Sequence, residues 1–221
     1  MGKRKDTLAN SNVYHVYTRS ISEFNVFRKD SDYQRFVDTL NFYTAVTPPC
    51  KFSAFLLLAE DSKSETLQAI SNSPKLVKIL AFCIMPTHVH LVLEQQEENG
   101  ITKFMHTVLM SYSHYFNKQY NRKGPLWESR FKTVHVESDE QLLHLTRYVH
   151  LNPVTIQLVN SPNEWKYSSY KEYLNNTPAY GNSICSFSHY LEISHSHYEK
   201  FVCERIEYQR ELQKIKHLIL D

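Results

Sequence analysis

The sequence predicts an α+β fold in which β-strands and helices follow a split β-α-β order and the strands form one antiparallel sheet. Three observations point there. Short alternating β-branched and aromatic runs occur at residues 12–19, 77–84, 88–94 and 133–137. Stretches with 3.6-residue apolar spacing lie between them. The second and third strands are separated only by Met85-Pro86-Thr87, too short for anything but a hairpin.

Asn12 to Arg19 (NVYHVYTR) reads as the first strand. Ser31 is a candidate cap for a helix with Phe36, Val37, Leu40, Phe42 and Tyr43 on its apolar side, and Pro48-Pro49 closes that segment. The run Phe52 to Ala59 fits helix or strand, and Glu60 to Pro74 is a polar, Ser-rich insertion. The hairpin strands come next. Thr102 to Tyr120 carries Phe104, Val108, Leu109, Tyr112, Tyr115 and Phe116 at helical spacing and stops before Gly124-Pro125. After the strand at 133–137, Ser138 and Gln141 form a capping box for another helix, whose end Pro153 is expected to mark. The order β-α-(insert)-β-β-α-β-α is the ferredoxin-like pattern with an extra helix after the last strand. A domain is therefore expected over 1–175, with an insertion at about 45–76 and a helical tail at 176–221.

Composition narrows the function. An apolar share of 42% can fill a core in a chain of 221 residues. No apolar run reaches the roughly 18–20 residues of a membrane span, and no apolar segment follows the charged start, so neither a span nor a secretory signal is expected. Cys50, Cys83, Cys185 and Cys203 form no C-x-x-C pair. Reduced thiols in a cytoplasmic protein are the simplest expectation. Net charge is +2, yet residues 101–135 hold six Lys/Arg against one Asp/Glu. Arg122, Lys123, Arg130 and Lys132 alternate there with Tyr112, Tyr115, Phe116, Tyr120, Trp127 and Phe131, a mixture suited to single-stranded nucleic acid.

His88-Val89-His90 opens the third strand. Residues i and i+2 share a strand face, so the two imidazoles stand side by side about 6–7 Å apart at their Cα atoms and can grip one metal ion. Among 12 His an H-x-H can arise by chance. A second constellation, Tyr148-Val-His-Leu-Asn152, gives it weight. Four residues along a helix is about one turn, so His144, Tyr148 and Asn152 form a stripe while His150 points elsewhere. The Asn152 carbonyl can complete a divalent-cation site, and Tyr148 can attack a phosphate held there.

Three ordered motifs, Met85-Pro-Thr-His-Val-His-Leu-Val-Leu93, Gly124-Pro-Leu-Trp-Glu-Ser-Arg-Phe-Lys132 and Arg147-Tyr-Val-His-Leu-Asn-Pro-Val154, resemble the single-tyrosine HUH transposases, the REP-associated tyrosine transposases in particular. Tyr14-His-Val-Tyr-Thr-Arg19 resembles their first strand. The resemblance covers roughly residues 11–175. It implies His88 and His90 as metal ligands with Asn152 as the third, Mg²⁺ or Mn²⁺ as the metal, and Tyr148 as the nucleophile. It also implies cleavage and rejoining of single-stranded or hairpin DNA through a 5′-phosphotyrosine; the candidates for backbone contacts, Arg122, Lys123, Arg130 and Lys132, come from the basic block itself and not from the resemblance. A homodimer and a monomer both remain open, and the rival reading is a domesticated, non-catalytic DNA-binding protein of the same fold.

Overall fold

A computed structural model describes residues 8–212 except Ser129 and Ala179. Its elements are β1 (Val13–Arg19), α1 (Asp30–Phe42), α2 (Phe52–Phe55), α3 (Glu60–Asn72), β2 (Val77–Ile84), β3 (His88–Gln95), α4 (Gly100–Gln119), β4 (Lys132–Val136), α5 (Asp139–Thr155), α6 (Tyr170–Tyr173) and α7 (His195–Cys203). The sheet order is β2-β3-β1-β4 and every pairing is antiparallel, the arrangement the element order predicts.

Alternation along the strands divides the interior in two. Val89, Leu91 and Leu93 point to one face, where they meet Phe36 and Leu40 of α1 and Phe104, Val108, Tyr112 and Phe116 of α4. Val92 points to the other, into a cluster with Leu142, Val149, Leu151 and Val154 of α5. His88 and His90 share the face of Val92, so α5 lies over the same side of the sheet as both histidines. The part of the 176–221 tail that is described joins this second cluster through Leu191, Tyr198 and Val202; residues 213–221 of the expected tail helix lie outside the described residues.

Two local expectations need correction and one open alternative is resolved. Ser31 is not a cap: α1 begins one residue earlier, and the Asp32 carboxylate accepts from the backbone N–H of Arg28 and Lys29 at 3.0 and 3.2 Å. Both amides converge on one carboxylate oxygen, Asp32 Oδ2. Pro153 does not end α5, which runs on to Thr155, so the helix tolerates the missing N–H. The ambiguous insertion is helical: α2 occupies part of the apolar run and α3 the polar stretch. At the start of α5, Ser138 Oγ accepts from Gln141 N as expected, whereas Gln141 Oε1 accepts from Glu137 N, one residue before the cap.

The tail is tied to α5 by polar as well as apolar contacts. His150 is fully buried, with Nδ1 2.7 Å from the Tyr198 hydroxyl and Nε2 2.8 Å from Ser169 Oγ. Arg147 lies 4.0 Å over the Phe201 ring. Tyr198→Phe leaves one imidazole nitrogen without its partner in a dry site, and is expected to lower unfolding stability by about 1–3 kcal/mol in a urea titration.

Candidate active site

β3 and α5 bring the expected residues together. The His88 and His90 rings lie 5.1 Å apart and nearly perpendicular, and the Tyr148 ring is 5.6 Å from His90. His90 is only 6% exposed, whereas Tyr148 is 42% exposed. Asn152, one helical turn on and 8% exposed, donates from Nδ2 to the Tyr148 carbonyl at 2.9 Å, which leaves its Oδ1 without that engagement. His144 stands apart from this group. Its Nδ1 is 2.7 Å from Arg147 Nη2, and its ring packs on Phe201.

Each histidine is engaged on the same side of its ring. His88 Nδ1 lies 3.1 Å from Thr87 Oγ1, and His90 Nδ1 lies 3.0 Å from His15 Nε2. Burial is the main influence on protonation. It lowers His88 to about 4, helped by the Arg19 charge, and carries His90 well below its ordinary value, helped by His88, His15 and Arg19. A neutral imidazole that donates from Nδ1 presents Nε2 as a lone-pair donor, the state a metal requires. Burial pushes the Tyr148 phenol above its usual range, against the Asn152 hydrogen bond and the Arg19 charge.

The first strand contributes residues that the motif spacing did not single out. Tyr17 pairs with His90 and Arg19 with His88 across the β1–β3 ladder. His15, Tyr17 and Arg19 therefore share the face of the two histidines. Tyr17 stacks on His15 and His90, at 5.1 and 6.1 Å. Alternation within NVYHVYTR carried this signal, but only the register shows which face it joins.

The expected cations are less uniform in position. Lys132 is exposed on β4, its ammonium 5.9 Å from the Tyr17 ring and so beside the site. The segment leading to β4 pairs with the end of β1, through Glu128 N to Arg19 O and Ile21 N to Leu126 O. This lays Leu126 and Glu128 beside the end of β1, whose Arg19 pairs with His88. Lys123 and Arg130 are exposed. Arg122 is half-buried, donating to Asn117 Oδ1 and the Gly124 carbonyl at 3.3 Å each and lying over Phe24.

Most aromatic side chains of this stretch serve the core and not a stacking surface. Tyr112 and Phe116 are fully buried, and Trp127 packs on Phe27, Phe36 and Tyr112. They anchor the core under α4, and base stacking there is excluded. Tyr115 and Tyr120 donate to the two oxygens of Asp32 at 2.8 and 2.6 Å, and burial with that carboxylate pushes both up to about 12. Tyr112 donates to the Val26 carbonyl at 2.6 Å. Of these four tyrosines, Tyr148 alone combines exposure with adjacency to the histidine pair.

Comparison with known proteins agrees with this geometry. The family described as Transposase IS200 like matches residues 56–152, a span that holds both His88-Val-His90 and Tyr148 to Asn152. Over that span the chain is similar to the IS200-like transposases. A Haemophilus influenzae protein named as a REP-associated tyrosine transposase is 27% identical over 142 residues, covering 59% of this chain and 79% of that one. A solved structure of a REP-associated tyrosine transposase bound to a REP hairpin superposes with a TM-score of 0.56 at 12% identity, covering 84% of this chain and 100% of that one. At that identity the likeness speaks for the fold, and the roles of individual residues in this chain rest on its own geometry. Among its described residues no helix is long and apolar enough to cross a membrane.

Proposed function

We propose that this protein is a transposase that cleaves and rejoins single-stranded DNA with Tyr148 as nucleophile. The observation that carries the reading is the approach of an exposed tyrosine to a half-buried and a buried imidazole, His88 and His90, on one sheet face. Burial raises the phenol, so it enters the reaction protonated. Its Oη then forms a bond to phosphorus while the bond from phosphorus to the 3′ oxygen breaks. The phenolic proton leaves to solvent and the departing 3′ oxygen takes one up, giving a 5′-phosphotyrosine and a free 3′-OH. A strand bearing a 3′-OH can reverse the step, so no nucleotide triphosphate is consumed.

Nε2 of His88, Nε2 of His90 and Oδ1 of Asn152 fit a divalent cation by donor type. Among the described residues no group of three His, Cys, Asp or Glu is placed to hold an ion, so Asn152 is essential to this assignment. Mg²⁺ or Mn²⁺ bound there would neutralise charge on a non-bridging phosphate oxygen. Arg19 and Lys132, on the same sheet face, supply cationic charge beside the nucleophile, and the DNA backbone is proposed to follow them towards Arg122, Lys123 and Arg130. A hairpin substrate is proposed from the likeness to the REP-hairpin-bound relative.

Labelled hairpin DNA incubated with the protein and Mn²⁺ is expected to give an adduct that survives SDS. Binding without any adduct would favour the non-catalytic DNA-binding reading. Arg122→Gln with Lys123→Gln is expected to weaken binding and to flatten its log–log salt dependence by about 0.7 for each phosphate no longer neutralised. An unchanged affinity and slope would place the DNA path elsewhere.

A further inference from the structure

We propose that His15 is a positioning residue that fixes the ring orientation and tautomer of His90. The inference rests on the proposed metal site and adds to it a residue outside the His88, His90 and Asn152 set. His15 sits on β1 diagonally across from His90, since its own ladder partner is Val92. Its Nε2 reaches His90 Nδ1 at 3.0 Å, the two rings lie 5.2 Å apart and 18° from parallel, and the Tyr148 ring stands edge-on to His15 at 6.1 Å.

Two ring nitrogens 3.0 Å apart can share only one proton between them. If His90 offers an Nε2 lone pair, its proton sits on Nδ1 and is donated to His15 Nε2, and the His15 proton sits on Nδ1. The opposite assignment would put the proton on His90 Nε2 and block that atom as a ligand. With its Nε2 as acceptor, His15 would stabilise the ligand-competent tautomer, the role that a carboxylate or carbonyl fills behind many metal-bound histidines. Tyr17, stacked on both rings, holds the pair in register. Because the contact joins β1 to β3 within the sheet, it is available before DNA arrives.

The test compares His15→Phe, which keeps an aromatic ring and removes the acceptor, with His15→Gln, which restores an acceptor oxygen. Long-range ¹H–¹⁵N NMR of the metal-free protein is expected to show His90 protonated on Nδ1 in the wild type and in His15→Gln, and shifted towards Nε2 protonation in His15→Phe. Mn²⁺ affinity is expected to fall about 10–100-fold in His15→Phe and to recover largely in His15→Gln, with circular dichroism unchanged. The proposal is overturned if His15→Phe keeps the wild-type tautomer, binds Mn²⁺ as tightly as the wild type, or is matched in its effect by His15→Gln, which would reduce His15 to packing. His90→Ala separates the two levels: Mn²⁺ affinity indifferent to it would sink the metal site itself, while the tautomer measurement still reports on the His15–His90 bond.

Discussion

Tyr148→Phe is expected to abolish the covalent DNA adduct entirely while leaving hairpin affinity within a few-fold of the wild type. The substitution removes one oxygen from a ring that is 42% exposed, so the fold loses little. Packing of the ring against His90 and His15 is preserved. Chemistry, by contrast, loses the only atom proposed to bond to phosphorus. Tyr115→Phe and Tyr120→Phe serve as controls with the opposite signature. Each removes a hydrogen bond to the buried Asp32 carboxylate and should cost stability on the order of 1–3 kcal/mol without touching adduct formation per folded molecule. An adduct that persists in Tyr148→Phe and disappears in one of these variants would move the nucleophile to the end of α4.

His90→Ala is expected to remove Mn²⁺ binding and cleavage together, with the sheet intact. The side chain contributes its Nε2 to the proposed site and nothing to the apolar clusters on either face of the sheet. Removing one of three ligands leaves His88 and Asn152, too few donors for the protein to compete with water for a divalent ion. Rate should fall by several orders of magnitude, since charge neutralisation at a transferring phosphoryl group is usually the largest catalytic contribution. Isothermal titration with Mn²⁺ and a gel assay for the adduct check the two effects separately. Retained cleavage in His90→Ala would detach the chemistry from the histidine pair.

The sheet and the His88, His90 and Tyr148 grouping were legible because each depends on a short-range period. Alternation fixes which strand residues share a face, and a four-residue offset puts Asn152 one turn from Tyr148. His15 escaped notice for a different reason. Its partner lies 75 residues away, and only the β1–β3 register shows that the two side chains meet. Packing and base stacking stayed open for the aromatic residues of α4 because composition does not say which side of a helix a ring occupies. Their spacing matches an apolar stripe, and burial against α1 and β3 decided the matter. Phe52 to Ala59 was ambiguous since a short apolar run satisfies either period, and contacts with Phe42 settled α2 as helix. Pro153 shows the limit of local rules: tertiary packing of Val149, Leu151 and Val154 carries α5 past a residue that disfavours it.

The most direct test is to locate the attachment point of the DNA. Trypsin cutting after Arg147 and Lys166 releases a peptide over 148–166 in which Tyr148 is the only tyrosine. After reaction with hairpin DNA and Mn²⁺ and nuclease trimming, mass spectrometry is expected to find the nucleotide on that peptide, linked through a 5′ phosphate. Tyr17 is the informative rival, since its ring also lies beside His90 at 6.1 Å. A nucleotide attached to Tyr17, or a 3′-phosphotyrosine linkage at any position, would contradict the account.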